Sequence, residues 1–314
     1  MAHSNPLNGK LVVLMGGSGF IGNYVAQALL ERGARVRIAS RNPERAHKLK
    51  PLANLGQLQL VRCNVSNQAS VAKVIEGADA VINLVGVFSG DIKQIMGESP
   101  GWMAEAAAAT GASAFVHVSA IARDPEGVSG YAQAKLLGEE RVMGAFPKAT
   151  ILRPSIVFGE DDNFLNMFAG LISMMPVIPV FGPDAELQPV YVDDVAEAIA
   201  RTAAHPDKFG GKLFELGGPD VLTMMDINER VADAERRKRM FIPMPDAASA
   251  AFAMMPLTPM SRDQWYLLKS GNTVGDDTAG FKQLGIDPKP LSLFLERWMV
   301  RYRKHGRFEN RLSA

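Results

Sequence analysis

Leu11-Val12-Val13-Leu14-Met15-Gly16-Gly17-Ser18-Gly19-Phe20-Ile21-Gly22 is the stretch that decides the fold. Its first five residues are an apolar run of strand length, its glycines make a turn, and the residues that follow, up to Gly33, carry helical patterning. Strand, glycine turn and helix in that order suit the pyrophosphate of a dinucleotide. The glycines let the backbone bend sharply and approach the ligand, while the helix start offers free N–H groups and the positive end of its dipole. The stretch reads as G-x-G-x-x-G from Gly17 and as G-x-x-G-x-x-G from Gly16, so Gly16, Gly17, Ser18, Gly19, Phe20, Ile21 and Gly22 are candidate cofactor-binding residues. Its context argues against a glycine turn that is only structural.

The end of the next strand, Arg35 to Ser40, bears on which dinucleotide binds. A site for NAD(H) places an acidic residue there for the ribose 2′-hydroxyl, but this chain reads Ser40-Arg41. A hydroxyl and a permanently charged guanidinium suit a 2′-phosphate, and Arg45 can join the same cluster. NADP(H) is therefore the preferred cofactor and NAD(H) the alternative, with Arg41 and Arg45 as plain solvated residues if no phosphate is present.

Beyond these strands the chain alternates strand-like runs (Leu58 to Arg62, Ala80 to Val85, Ala114 to Val118, Thr150 to Arg153, Lys212 to Leu216) with helical patterns (Ser70 to Glu76, Trp102 to Thr110, Tyr131 to Met143). Such alternation predicts an α/β fold, a Rossmann-type doubly wound parallel sheet with a smaller, mostly helical C-terminal substrate lobe. The expected division is a nucleotide-binding domain over 8–162, rejoined by 190–216, with 163–189 and 217–314 forming a lid and the C-terminal lobe. Thr223, with Asp226 three residues on, predicts a capped helix start.

The 314 residues are 47% hydrophobic and 21% charged with a net charge of +1, enough for a substantial core and without the charge excess that marks nucleic-acid binding. A single cysteine, Cys63, excludes an intramolecular disulfide, fits a reducing compartment, and reads as buried filler. Met1 to Lys10 lacks the apolar core of a signal peptide, so a cytoplasmic location is expected. The five histidines are scattered, and no metal site is expected; His117 reads as a satisfied core residue. Two charge-free stretches, Asn163 to Pro183 and Ala247 to Met260, are interrupted by prolines and read as a lid or greasy docking surface rather than membrane spans.

Chemistry is expected on the helix that begins near Tyr131. Tyr131 and Lys135 lie four residues apart, hence on one helix face, where the ammonium is expected to pull the phenol pKa down and to hold the nicotinamide ribose.

With these residues in place the chain resembles the short-chain dehydrogenase/reductase superfamily in its extended or atypical branch. Asn64-Val65 resembles the pair that contacts adenine, with Asn in place of Asp. Leu84-Val85-Gly86, after Asn83, resembles the stretch that lines the cofactor, and Val118 stands at the end of the fifth strand beside it. Pro154-Ser155-Ile156-Val157, after Arg153 and before Phe158-Gly159, is similar to the segment that meets the nicotinamide carboxamide. Pro189 to Ala196 is similar to the family's return into the Rossmann core. Phe158 to Asn166, Pro256-Leu257-Thr258 with Arg262-Asp263-Gln264, and Leu284 to Pro288 resemble the branch that contains the nucleotide-binding accessory subunit of respiratory complex I and its bacterial relatives.

The resemblance implies bound NADP(H), peripheral work at the inner face of a membrane near ubiquinone, and two roles. One is an oxidoreductase acting on a small hydrophobic carbonyl, alcohol or quinone-like ligand, with Tyr131 as proton donor or acceptor, Lys135 beside it and Ser119 polarising the substrate oxygen. The other is a non-catalytic accessory or assembly protein of a respiratory or ubiquinone-biosynthesis complex, in which blocking the turn by Gly19→Val harms folding. Family members that turn over carry a hydroxyl two residues beyond Ser119, whereas this chain has Ile121, which puts the polarising half of the site in doubt.

Asp193 and Asp194 read as helix-opening caps, and Arg236-Arg237-Lys238-Arg239 as a solvated helix end. Leu291, Phe294, Leu295, Trp298 and Tyr302 make an apolar stripe among Arg297, Arg301, Arg303, Lys304, Arg307 and Arg311. Packing on the core is the preferred expectation for this stripe, and contact with an anionic membrane or a partner is the alternative.

Overall fold

The computed structural model describes residues 5–254 and 261–306. His3, Pro256-Leu257-Thr258, the end of the second charge-free stretch, Arg307 and Arg311 lie outside the described residues. β1 (Leu11–Met15), β2 (Arg35–Ser40), β3 (Leu58–Arg62), β4 (Ala80–Asn83), β5 (Ala114–Val118), β6 (Thr150–Pro154) and β7 (Leu213–Leu216) form one sheet in the order β7-β6-β5-β4-β1-β2-β3, every neighbour parallel. Parallel neighbours require crossovers, and helices supply them on both faces. The helices are α1 (Phe20–Glu31), α2 (Gln68–Ile75), α3 (Ser99–Ala109), α4 (Gly130–Ala145), α5 (Phe164–Met174) and α6 (Val192–Ala204).

Alternation along β1 separates the two layers. Val12 and Leu14 share a core with Val25 and Leu29 of α1 and Val195 and Ile199 of α6, while Val13 and Met15 share another with Val71 and Ile75 of α2 and Met103 and Ala107 of α3. The strand order reverses between β1 and β4, and ligand crevices in such sheets open beyond the carboxyl ends of the strands at that point. β4 ends at Asn83, short of the expected Val85, because the Asn83 side chain accepts the Val85 N–H at 3.0 Å. Leu84 and Val85 thereby move into the loop over the crevice.

A second apolar cluster holds the smaller lobe. Leu165, Ala169 and Ile172 of α5 pack with Ile227 and Val231 of α7 (Met224–Ala234) and with Leu295 and Trp298 of α9 (Ser292–Met299), after the intervening α8 (Arg262–Lys269). α7 starts with the expected capping box of Thr223 and Asp226. The C-terminal stripe faces inward: Leu291, Leu295 and Trp298 are buried, Phe294 stacks on Tyr191 with ring centroids 4.1 Å apart, and the Tyr302 hydroxyl donates to Asn166 Oδ1. Its side chains are used up within the molecule. Of the first charge-free stretch, α5 serves the same core, and Val177–Phe181 pairs in parallel with Met240–Met244.

Two expectations need correction. Asp193 and Asp194 stand in the first turn of α6, yet neither caps it. Asp193 accepts the Tyr191 hydroxyl, and the buried Asp194 accepts the Lys289 N–H at 2.8 Å. Arg236 to Arg239 is not simply solvated either, because Arg237 donates to the Tyr302 carbonyl at 2.8 Å and Arg239 to that of Ile172 at 2.7 Å. Both arginines satisfy carbonyls at helix ends, which attract cations.

Candidate functional site

The glycine turn is tight for reasons that differ along its length. Gly16 has φ +79°, its N–H donates to Ala39 at 2.8 Å, and a Cβ there would stand 3.2 Å from the backbone of Leu84 and Val85. At Gly17 a Cβ would meet Leu14 Cβ at 2.8 Å, and at Gly22 it would lie 2.5 Å from the Gly17 carbonyl oxygen. A positive φ and the loop after β4 thus explain Gly16, contact with β1 explains Gly17, and contact of α1 with the turn explains Gly22. At Gly19, with φ −80°, the nearest atom to a Cβ is Gly16 O at 3.4 Å. The protein has no steric need of its own for glycine there, and the open space is what close approach of a ligand requires.

Gly19 is also the N-cap of α1, and no side chain caps that helix. Its first N–H groups are left to an anion, with the positive end of the dipole behind them. Phe20 turns away toward the smaller lobe, where its ring would meet a Cβ on Gly159 at 2.9 Å, while Ile21 packs against both large cores.

β2 delivers its end to this turn. Ser18 Oγ and the buried Ser40 Oγ are hydrogen-bonded at 2.9 Å, which joins the turn to the position where an acidic residue would read a 2′-hydroxyl. Arg41 and Arg45 follow, exposed, and their guanidiniums have no hydrogen-bond or ion-pair partner among the described residues. At the end of β3, Asn64 closes a turn by accepting the Ser66 N–H at 3.1 Å, and Val65 is buried. Burial pushes the Cys63 thiol pKa up, as befits inert filler.

The ends of β4 and β5 carry the second half. α4 is started by Ser129, whose Oγ accepts the Ala132 N–H, and by Asp263 of α8, which accepts the Tyr131 N–H at 3.1 Å. Helical spacing brings Lys135 Nζ to 3.4 Å from the Val118 carbonyl and within 3.8 Å of a Cβ placed on Gly86. Lys135 is buried, and loss of hydration lowers its pKa to about 8 against a small opposing pull from Glu139. The expected lowering of the Tyr131 pKa is not found. Its Nζ neighbour stands 5.9 Å from the ring centroid, Phe88 stacks on the ring at 4.9 Å, and burial plus the Asp263 carboxylate push the phenol up to about 12. A phenol in that setting keeps its proton at neutral pH, so it can donate but is a poor base.

His117 lies beneath Lys135, and it is only half satisfied. Nδ1 meets Asn83 Nδ2 at 3.0 Å and Nε2 has no partner; burial, then the nearby ammonium, lower its pKa to about 3. Ser119 is buried, and its Oγ also lacks a partner. Ile121 is 4% exposed, so the position of the expected hydroxyl holds an enclosed alkyl side chain. At the end of β6, Pro154 and the following Ser155 are buried, and Ile156 and Val157 are half-buried after them. Phe88 and Asn272 join this region with no motif to mark them, whereas Asp263 lies in the Arg262-Asp263-Gln264 stretch, whose resemblance does not assign it to the cap of α4.

The donor set fits a dinucleotide. An uncapped helix start and an open Gly19 face the phosphate position, free guanidiniums follow Ser40, and an unpartnered buried hydroxyl and a buried ammonium stand at the other end. Among the described residues no three His, Cys, Asp or Glu side chains gather as a metal site, and no helix is long and apolar enough to cross a membrane.

Comparison with known proteins agrees with this geometry. The family model for the NAD dependent epimerase/dehydratase family matches residues 12–217. The chain is 28% identical over 320 residues to the NADH dehydrogenase (ubiquinone) 1 alpha subcomplex subunit 9, mitochondrial, of Arabidopsis thaliana, covering 96% of this chain and 80% of that one. With the subunit of the same name in Mus musculus it shares 29% over 298 residues, covering 91% and 79%. Among solved structures, a nucleoside-diphosphate-sugar epimerase from Staphylococcus aureus superposes with a TM-score of 0.72 at 16% identity, covering 91% of this chain and 99% of that one, which shows the shared fold.

Proposed function

We propose that this chain, which belongs to the NAD dependent epimerase/dehydratase family, holds NADP(H) as a resident group in an accessory or assembly role at a membrane-associated complex like respiratory complex I. The observation that carries this reading is an asymmetry: Gly19 is open and the start of α1 uncapped, as a phosphate cradle requires, while a buried Ile121 stands where the resemblance to active family members calls for a hydroxyl. The relatives named as subunits of NADH dehydrogenase support it, since each matches nearly the whole of this chain. In this role Gly16 to Gly22 receive the pyrophosphate, and Ser18, Ser40, Arg41 and Arg45 the adenosine ribose and its 2′-phosphate. Asn64 and Val65 flank the adenine. Leu84, Val85, Gly86, Val118, Tyr131, Lys135 and Pro154 to Val157 enclose the nicotinamide end.

A second reading, an oxidoreductase on a small hydrophobic carbonyl, alcohol or quinone-like ligand, is favoured by one observation. Ser119 Oγ is buried with no partner among the described residues, one residue beyond the Val118 carbonyl that Lys135 reaches. The cofactor, when bound, supplies a hydride at its nicotinamide. Tyr131 holds its proton ready for a carbonyl oxygen, and Lys135 holds the ribose.

Mass spectrometry of small molecules released from the purified protein, paired with NADPH oxidation assays on short-chain quinones and aldehydes, tests the two readings. Stoichiometric NADP(H) without turnover is the expected result. Sustained oxidation would favour the second reading. A protein that carries no nucleotide and gains no thermal stability from NADPH would remove both.

A further inference from the structure

Asn272 lies between α8 and the end of the chain, in a segment with no motif, and its hydrogen bonds converge on the two loops at the nicotinamide end. Its backbone is held first: the N–H donates to Glu186 at 2.9 Å, and the carbonyl accepts from Gln188 at 3.1 Å. The side chain is thereby aimed before it makes any contact. Oδ1 accepts the Ile156 N–H at 2.8 Å and lies 2.6 Å from Ser155 Oγ, while Nδ2 donates to the Ile121 carbonyl. These partners are 116 to 151 residues away in sequence.

The loop after β5 also touches β6 directly, through the Ser119 N–H and the Leu152 carbonyl at 2.7 Å and the Ile121 N–H and the Pro154 carbonyl at 3.0 Å. Neither bond reaches past Pro154, the last residue of β6. Beyond it the Asn272 amide joins Ile156 to Ile121, and the spacing of the two loops there follows from the size of one carboxamide. Val157, the next residue, then enters its parallel pairing with Val190 from a fixed direction. A carboxamide accepts from Ile156 through one atom and donates to Ile121 through another, and it carries no charge. Aspartate would set a negative oxygen against the Ile121 carbonyl, and alanine would leave a donor and an acceptor unpaired.

We infer that Asn272 is a positioning residue of the nucleotide site, by which the C-terminal lobe sets the gap between the loops of Ile121 and Ile156 and so the seat of the nicotinamide. The inference rests on the dinucleotide reading above. It predicts a split between the two halves of the ligand. Asn272→Ala and the isosteric Asn272→Asp should weaken NADPH about tenfold, the effect of one or two hydrogen bonds, and dull the fluorescence gain of the bound nicotinamide. Binding of 2′,5′-ADP, which lacks the nicotinamide half, should stay within about twofold of the parent, since Gly16 to Gly22 and Arg41 are untouched.

Titration calorimetry with both ligands on the full-length protein decides. Equal weakening of the two ligands would mean a general structural role and would overturn the inference, as would unchanged NADPH binding in both variants. Should the alanine variant not fold, the aspartate variant carries the same comparison, and its failure to fold as well would assign Asn272 to stability alone. If the parent protein binds 2′,5′-ADP but not NADPH, the nicotinamide end is not a seat at all and the inference falls while the phosphate cradle stands. If it binds neither, the dinucleotide reading falls first.

Discussion

The two ends of the crevice are built by opposite means. The phosphate end is made from one continuous stretch, Leu11 to Glu31, plus the tip of β2, and its constraints are steric and local: a positive φ at Gly16 and backbone contact at Gly22. The nicotinamide end is assembled from β4, β5, β6, α4, α8 and the Asn272 segment, and its constraints are desolvation and hydrogen bonding among distant residues. On the proposed reading, affinity for a nucleotide and competence to use it are separable, because among the described residues the turn from Gly16 to Gly22 makes no hydrogen bond to Ile121 or Tyr131.

The sharpest way to break this comparison is at Gly22. A Cβ there meets immovable backbone, so Gly22→Ala should cost about 3 kcal/mol or more in unfolding free energy, read by urea denaturation. Gly19→Ala, in open space, should leave stability within about 0.5 kcal/mol while it weakens NADPH. Equal destabilisation by the two would erase the distinction between a packing glycine and a ligand glycine.

Next in size is cofactor choice. Arg41→Ala removes a charge-assisted partner of the 2′-phosphate and should weaken NADPH by about 10- to 100-fold with little change for NADH. A uniform loss for both nucleotides would remove the guanidinium from the adenosine end.

At the nicotinamide end, Lys135 makes a pH prediction. Its pKa is about 8 in the folded chain against an ordinary 10.5, so the charged form is disfavoured by folding. The penalty is full below about pH 8, shrinks as pH rises, and is gone once the unfolded chain has also lost the proton. Wild-type stability attributable to this group should therefore rise between pH 8 and 10.5. Lys135→Met should gain about 1–2 kcal/mol at pH 7 and lose that gain by pH 10, while nucleotide retention falls. A pH-independent difference between parent and variant would show that the amine is not desolvated.

The smallest effect is expected at Tyr131. Tyr131→Phe keeps the ring stacked on Phe88 and removes a hydroxyl that makes no hydrogen bond among the described residues, so NADPH retention and melting temperature should not move. A marked loss of retention would tie the hydroxyl to the ligand and pull the two ends of the crevice together.

Much of the phosphate end was legible beforehand because its information is short-range. Glycine spacing, the strand before it and Ser40-Arg41 are read within about thirty residues, and the strands β1, β2, β3 and β5 have the bounds that their apolar runs suggested. The nicotinamide end was less so. Spacing places Tyr131 and Lys135 on one helix face, but it does not reveal the direction in which the phenol pKa moves. Sequence shows that a lysine is four residues away; it does not show that Asp263 from α8 caps the same turn or that Phe88 covers the ring.

The sequence by itself determined the α/β alternation, the glycine turn after β1 and the absence of a hydroxyl at residue 121, because periodicity, glycine freedom and residue identity are properties of the chain before it folds. Tertiary structure alone decided how deeply Lys135 and Tyr131 are buried, which oxygens remain without partners, and that Asn272 spans two loops more than a hundred residues distant. The physical reason is that hydration and hydrogen bonding depend on what surrounds a group in space, and those neighbours are supplied by segments that the local sequence does not contain.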